Sequence, residues 1–595
     1  MSFNASLANL FDRMSAMLEL TGADRFRVNA HAKAARVIRD HATDLEPIAR
    51  DPKALTAIDG IGKGTAAKIA EFAETGSIAE HDELAGRVPP GVLEMLNIPG
   101  LGPKTVKLLW EEKGIESIHA LKDAIEDGSI LDLPRMGAKT VENIKESIAF
   151  IESSGKRLHI GVAMPVAEAL VARMLNTAGV TRCAFAGSLR RGKESIGDID
   201  VLVSTTDPEA ARAAFCEHSS VTKVLARGEH KCSVRLSLDG LGGRFAAETE
   251  AAIQADLRLI PESSWGAALM YFTGSKEHNV RLRERALAKG MTLNEWGLFP
   301  EDRNDSTPPQ QRGVPAVASE TEASIYEALG LPFLPPTVRE DRGEFDLKHT
   351  PRLIEVADIK AELHSHTVAS DGEMTIEESA AKALERGFHT LAITDHSQSS
   401  AVANGLKPER LREHIKRVRA ANEAVDGITL LAGSEVDILV DGNLDYDDDL
   451  LQMLDILVAS PHAGLKARPA QATKRLLKAI SHPLVHIIGH PTGRLIERRP
   501  GMEPAMDELI AAAIEHDVAL EINAHWMRLD LRDTHVRAAV EAGCKIAINC
   551  DVHAPGDYDN LRYGVLTGQR GWLPPEQCIN TWDHQKLHDW LRSKR

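Results

Sequence analysis

Asp198 and Asp200 stand two residues apart in Gly197-Asp198-Ile199-Asp200-Val201, just after Gly187-Ser188-Leu189-Arg190-Arg191-Gly192. On a strand, side chains at i and i+2 share a face, so both carboxylates point the same way. Two like charges that close are costly unless a cation sits between them. Asp256, in a second strand-like run from Ile253 to Ile260, offers a third carboxylate. Three carboxylates suit a centre of two Mg²⁺ ions for in-line nucleotidyl transfer.

A denser set of ligand types follows. Glu362-Leu363-His364-Ser365-His366 places two imidazoles on one strand face, and Asp371 follows in a loop. Thr394-Asp395-His396 and Gly433-Ser434-Glu435 each end a strand-like run. His462, His490, Asp551 and His553 complete the series. Six imidazoles and three carboxylates suit Mn²⁺, Zn²⁺ or Fe²⁺ better than Mg²⁺ or Ca²⁺, which prefer all-oxygen shells. Nine ligands exceed one ion's needs, so two or three ions are implied. Lys360, Arg494 and Arg528 are weaker candidates for contacts with a substrate phosphate.

The elements that must position these groups differ along the chain. Up to about residue 155 the pattern is helical, with a short glycine repeat. Gly60-Ile61-Gly62-Lys63-Gly64-Thr65 is echoed by Gly100-Leu101-Gly102-Pro103-Lys104-Thr105, and more weakly by Arg135-Met136-Gly137-Ala138-Lys139-Thr140. Glycine clusters between helical patterns predict tight hairpins feeding new helices. The copies resemble the helix-hairpin-helix motif, whose turn aims backbone N–H groups at a phosphate oxygen, and that resemblance implies that Gly60, Gly62, Gly64, Gly100 and Gly102 grip DNA without regard to sequence. From about 160, strand-like runs mix with helices. Pro332–Pro336 and the charged Arg339–Glu344 read as a boundary, and beyond 355 short strands alternate with amphipathic helices, which predicts an α/β barrel. Ligands at strand ends suit the C-terminal face of such a barrel.

Net charge is −17, so bulk positive potential does not hold a nucleic acid here. Backbone amides, placed arginines and divalent cations still can. The acidic excess lies mostly beyond residue 300, and histidines concentrate beyond 359. No apolar run approaches the roughly 18 residues of a membrane span, and the start lacks a signal-peptide layout. Six scattered cysteines without a CxxC pair read as reduced thiols, which predicts a cytoplasmic protein.

The segment from Gly187 to Val201, with Tyr271-Phe272-Thr273-Gly274-Ser275-Lys276 through Asn279 and Arg283 to Asn294-Glu295, resembles the family X DNA polymerases over residues 1–340. That resemblance implies that Asp198, Asp200 and Asp256 bind metal and catalyse, and that Ser188, Arg191 and Gly197 hold an incoming deoxynucleoside triphosphate. It places Tyr271, Phe272 and Gly274 against the sugar, Asn279 at the base edge and Arg283 at the template strand; Lys276 departs from an acidic residue of the vertebrate relative. Lys68 aligns with that relative's Schiff-base lysine. Arg27 fits the accompanying phosphate pocket, while His31 and Gly64 replace expected residues, so an ordinary helix lysine is the favoured reading. The order HxH…D…H…E…H…H…DxH looks like the PHP (polymerase and histidinol phosphatase) superfamily over 359–595. The superfamily implies a distorted (β/α)7 barrel with a trinuclear phosphoesterase site, and next to a polymerase it implies a Mn²⁺-dependent 3′–5′ exonuclease; Zn²⁺ is the other ion expected there.

The expected fold class is therefore multidomain, α+β and α/β. It comprises a helical domain over 1–85 with the first hairpin, a helical DNA-binding subdomain over 86–155, a nucleotidyltransferase palm over 156–265, a thumb over 266–340, a linker over 341–358 and a PHP domain over 359–595. The expected enzyme is a monomeric gap-filling polymerase of base-excision or break repair that also trims 3′ ends. Abasic-site lyase or endonuclease activity would accord with the same family. Two other classes remain open at this stage: a DNA-binding PHP phosphoesterase whose polymerase half only binds, and a small-molecule phosphatase tethered to it.

Overall fold

The computed structural model describes residues 3–594 apart from 42, 97, 99–100, 135, 138–139, 143, 146–147, 149–156, 239–251 and 303–306. Two compact units emerge, Met1–Lys156 and Arg157–Arg595.

The first unit is helical around one apolar core that includes Leu7, Phe11, Met14, Ile38, Ile69, Val106, Leu109 and Ile144. Ile69, Leu109 and Ile144, seven residues after the aligned glycines, are all buried there. Helix Arg25–Asp40 starts at Asp24, whose carboxylate accepts from the N–H groups of Phe26 and Arg27. In the hairpins Gly62 and Gly102 occupy the same position. Each is the residue before a helix (Lys63–Thr75 and Pro103–Lys113), with extended backbone. Their carbonyls accept from Ala66 and Val106, and Gly137 accepts from Val141 in the same way.

In the second unit the strands are β1 (Leu158–His159), β2 (Val180–Phe185), β3 (Ser195–Ile196), β4 (Asp198–Thr205), β5 (Val221–Arg227), β6 (Lys231–Ser237), β7 (Ala252–Leu259), β8 (Met291–Asn294) and β9 (Gly297–Pro300), and then β10 (Ala361–Glu362), β11 (Thr390–Ile393), β12 (Thr429–Asp437), β13 (Ile456–Ser460), β14 (Ile487–Ile488), β15 (Ala519–Asn523) and β16 (Ile546–Asn549). Five form a sheet in the order β2-β4-β7-β6-β5, with β4 and β7 parallel at its centre. Period-2 alternation orients them. Ile199, Val201 and Val203 of β4 and Ile253, Ala255, Leu257 and Leu259 of β7 enter one core, which leaves the intervening acidic positions on the other face.

Strands β10 to β16 follow one another in a seven-stranded, all-parallel sheet. Past the strand ends, His366 N donates to Val552 O at 2.8 Å and Ser365 bridges Val552, so the first and last strands meet and the barrel is nearly closed. Inside it lie Ala361, Leu363, Ala392, Leu431, Ile456, Val458, Ile487, Ala519 and Ala547. Trp582, Leu587 and Trp590 pack on these residues, so the segment ending in helix His584–Arg592 seals the end where the strands begin. The alternate residues, Leu391, Ile393, Leu457, Leu520, Ile522 and Ile548 among them, face the outer helices.

Three expectations change. The expected boundary Arg339–Glu344 is packed: Arg339 and Glu344 are fully buried, and Glu344 pairs with His278. Glu435 does not end its strand, because β12 runs on to Asp437. His364 and His366 lie just beyond the two-residue β10, in extended chain held by Thr394 and Val552. All six cysteines are free. Among the described residues no helix is long and apolar enough to cross a membrane.

Candidate active sites

Asp200 pairs with Asp256 across β4 and β7, and Asp198 pairs with Gln254. All three carboxylates therefore share one face of two adjacent strands. Lys231 lies 2.6 Å from Asp256 Oδ2, and Gln254 Nε2 donates to Oδ1 at 3.0 Å. Burial first, then the charges of Asp198 and Asp256, pushes the Asp200 carboxyl up to about 7. Burial and Asp256 raise Asp198 as well. Carboxyls that resist ionisation together are relieved by divalent cations, so this donor set fits the metals that the sequence implies.

A cleft of about 480 Å³ opens on Asp198 and Asp200 and is lined also by Ser188, Arg191, Tyr271, Phe272, Gly274, Lys276, Asn279 and Arg283. Ser188 lies on the short helix Gly187–Arg190, whose first residue has φ +66°. A Cβ at Gly187 would sit 2.7 Å from Asp200 Oδ2, so only glycine lets this turn approach the carboxylate. Tyr271 and Phe272 end helix Trp265–Thr273, and Asn279 and Arg283 share helix Lys276–Ala288. Asn279 Nδ2 donates to Tyr271 O at 2.7 Å, and its Oδ1 is buried without a hydrogen-bond partner. Gly197, at the entry to β4 beside Arg157, is not among the lining residues.

The nine candidate ligands of the barrel converge. Glu435 is central: His396 Nδ1 lies 2.8 Å from it, His490 Nε2 3.0 Å, and His364 and His462 Nε2 both 3.3 Å. Asp551 approaches His366 Nε2 at 3.0 Å, and Asp371 approaches His553 Nε2 at 3.4 Å. Three overlapping groups could each hold an ion: His366, Asp371, His396 and His553; His364, His366 and Asp551; His396, Glu435 and His462. His364 Nε2, both His366 nitrogens, His396 Nδ1, both Glu435 oxygens and Asp551 Oδ1 are buried without hydrogen-bond partners. Buried polar atoms rarely go unsatisfied, and a mixed imidazole–carboxylate set of this kind fits divalent transition metals. Two ligands, His490 (φ 24°) and Asp551 (φ 52°), have left-handed backbone, a strain that a functional site can retain.

In the first unit, Gly60, Gly62, Gly64, Thr65, His31, Lys33 and Lys68 line a second cleft, of about 610 Å³. A Cβ at Gly62, Gly64 or Gly102 would meet nothing within 4 Å, so these backbones are open to an approaching group. Gly100, and Arg135, Ala138 and Lys139 of the weak third copy, lie outside the described residues. Lys68 is ion-paired with Glu80 at 3.0 Å, and Arg27 donates to Glu80 at 2.6 Å. Burial opposes Glu80's ionisation, but Lys68 and Arg27 overcome it and hold the carboxyl at about 2. Lys68 is therefore ion-paired on helix Lys63–Thr75 and lines this cleft.

Sequence reasoning missed the residues that hold the ligands. Glu521 accepts from His364 Nδ1 at 2.8 Å, from His490 N at 2.6 Å and from Asn549 Nδ2 at 2.8 Å. Asp437 accepts from His462 Nδ1, and Asn523 Nδ2 donates to Asp551 Oδ2 at 2.9 Å. The available signal was a carboxylate inside the apolar strand Ala519-Leu520-Glu521-Ile522, on the inward face of Ala519. Two weaker candidates are corrected. Lys360 precedes β10, at the end of the barrel opposite the ligands. Arg494 is engaged by Glu194 at 2.7 Å and by the Leu529 carbonyl.

Family models match in sequence order: a helix-hairpin-helix domain over 2–78, a SAM-like helix-hairpin-helix tandem over 92–149, a DNA polymerase beta palm over 164–239, a DNA polymerase beta thumb over 268–340 and a PHP domain over 362–525. The chain is 35% identical over 575 residues to DNA polymerase/3′-5′ exonuclease PolX of Bacillus subtilis, covering 96% of both. It is 26% identical to DNA polymerase lambda of Rattus norvegicus over 330 residues, 53% of each protein. A probable phosphatase of Thermoanaerobacter is 28% identical over 244 residues, 39% of this chain and 94% of that protein. With the palm, thumb, hairpin and PHP modules in order on one chain, and 35% identity over 96% of it to such a polymerase, this protein belongs to the family X DNA polymerases that carry a PHP domain.

Proposed function

We propose that the chain fills short gaps in DNA from deoxynucleoside triphosphates and trims 3′ ends in its barrel domain, as a monomeric repair enzyme of the cytoplasm. Both activities depend on divalent cations: two Mg²⁺ held by Asp198, Asp200 and Asp256, and two or three Mn²⁺ or Zn²⁺ held by the nine barrel ligands. When bound, these ions activate the attacking oxygen and neutralise charge on the phosphorus centre. Ser188 and Arg191 take the triphosphate, with Gly197 setting the entry to β4. Tyr271, Phe272 and Gly274 contact the sugar, Asn279 the base edge and Arg283 the template. The hairpin glycines Gly60, Gly62, Gly64, Gly100 and Gly102 grip the backbone of the DNA. The domain limits given above are part of this reading.

The observation that carries it is the register of β4 and β7, which sets Asp256 directly beside Asp200 on the cleft face. Two variants test it in one experiment on a one-nucleotide gap with a 3′-ended strand. Asp198→Ala is expected to abolish extension and spare 3′–5′ degradation, and His364→Ala to do the reverse. Extension surviving in the first variant would remove Asp198 from the catalytic set, and no extension by the parent would leave the polymerase half as a binding module. The likeness to a probable phosphatase over the barrel alone supports a second reading, 3′-phosphatase action, which 3′-phosphorylated DNA as substrate would reveal.

A further inference from the structure

Arg570 ends helix Leu561–Arg570 of the barrel domain, yet its buried guanidinium serves the polymerase half. Nη1 donates to the backbone carbonyl of Arg191 and to Glu340 Oε1, both at 2.8 Å. Nε and Nη2 donate to Asp533 Oδ2 at 3.0 and 2.7 Å. Glu340 Oε1 also accepts from Arg191 Nε at 3.0 Å, and Arg342 Nη1 reaches Asp533 at 3.0 Å. Arg191 Nη1 donates to the Thr273 carbonyl. Backbone carbonyl, Nε and Nη1 of Arg191 are thus all engaged, while the residue lines the cleft.

The charges point the same way. Arg191, Arg342, Arg570 and the half-buried Lys193 surround two carboxylates, Glu340 and Asp533. This cationic excess stands directly behind a pocket for a polyanion, in a poorly solvated place where charge acts strongly. A guanidinium held in place beforehand loses less freedom when its ligand arrives.

We propose that Arg570 is a positioning residue for nucleotide binding: the barrel domain completes the triphosphate pocket by orienting Arg191 directly and through Glu340. The proposal rests on the assignment of Arg191 to the triphosphate made above. It goes beyond that assignment because a residue of the nuclease domain sets the polymerase's affinity for its nucleotide.

The test uses the full chain in single-nucleotide gap filling, with 3′–5′ nuclease activity and thermal unfolding as controls on the fold. Arg191→Ala should raise KM for the nucleotide. Arg570→Met and Glu340→Gln should each raise that KM about tenfold, the equivalent of ~1.4 kcal/mol. kcat and nuclease activity should stay within about twofold of the parent, as loss of ground-state binding requires. Arg570→Met combined with Arg191→Ala should raise KM no further than Arg191→Ala alone, which a purely structural role would not produce. If Arg191→Ala raises KM while Arg570→Met and Glu340→Gln do not, the proposal is overturned and the pocket assignment stands. If Arg191→Ala itself leaves KM unchanged, the assignment falls and the proposal with it. Should Arg570→Met fail to fold, Glu340→Gln decides.

Discussion

Glu521 presents two oxygens to three donors, His364 Nδ1, His490 N and Asn549 Nδ2, and so orients the His364 imidazole and anchors the backbone at His490. A glutamine there would turn an amide N–H toward one of those donors. Outer partners of metal ligands commonly set metal affinity by about 10- to 100-fold. Glu521→Gln is therefore expected to lower the metal retained after dialysis and the nuclease activity, and to leave gap filling intact. Unchanged metal content would remove Glu521 from the site. The nine candidate ligands, which the fold brings together, were legible because their residue types are rarely gathered in order for any other reason. Their supports were not, because Glu521, Asp437 and Asn523 act by which face of a strand they occupy, and that depends on a register set by the whole barrel.

Elements meet at Glu322, the first residue of helix Glu322–Ala328. It accepts from Arg190 at 2.8 and 2.7 Å and from Arg339 at 2.6 Å, joining the Gly187–Arg190 turn to the chain beyond the thumb helices. Burial opposes its ionisation, but Arg339 and Arg190 overcome this and bring the carboxyl down to about 2. The folded value lies below the ordinary one of 4.5, so in that window the unfolded chain binds more protons. The stabilisation is complete above about 4.5, worth roughly 3 kcal/mol, and is lost as pH falls toward 2. Urea unfolding should show Glu322→Gln far less stable than the parent at pH 7, with the gap closing below pH 4.5. A gap that stays constant down to pH 3 would contradict this. At this scale the sequence was read well where periodicity was strong, as in β4 and β7. It was read poorly at Arg339–Glu344, where a run of charges resembles a solvated linker until its partners, tens of residues away, are known.

Across the second unit, palm and barrel share a core. Ile496, Leu529 and Tyr563 pack among palm residues, and Glu168 pairs with Arg562 at 2.9 Å. Trp526 lies against helix Ile160–Leu175 so closely that a Cβ at Gly161 would fall 2.3 Å from its ring. Gly161→Ala should therefore cost about 1–3 kcal/mol by overpacking, seen as a lower urea midpoint with both active sites still assembled. An unchanged midpoint would mean that the two parts do not hold each other. No pattern in either half announces this contact, since each half satisfies its own periodicity first. Arg494, a weaker candidate for a substrate phosphate, pairs with Glu194 across this surface.

The seal on the barrel also orders events at the ribosome. Trp582, Leu587 and Trp590, which close the end where the strands begin, are translated after all seven strands. Until they emerge, the barrel interior stands open to water, and its ligands cannot settle into their final registers. The palm sequence meanwhile precedes Trp526 and Tyr563, which cover one of its faces, by more than 250 residues. During synthesis the palm face thus stays unpaired until the barrel residues that pack on it have emerged, the interval in which a chaperone has most to protect.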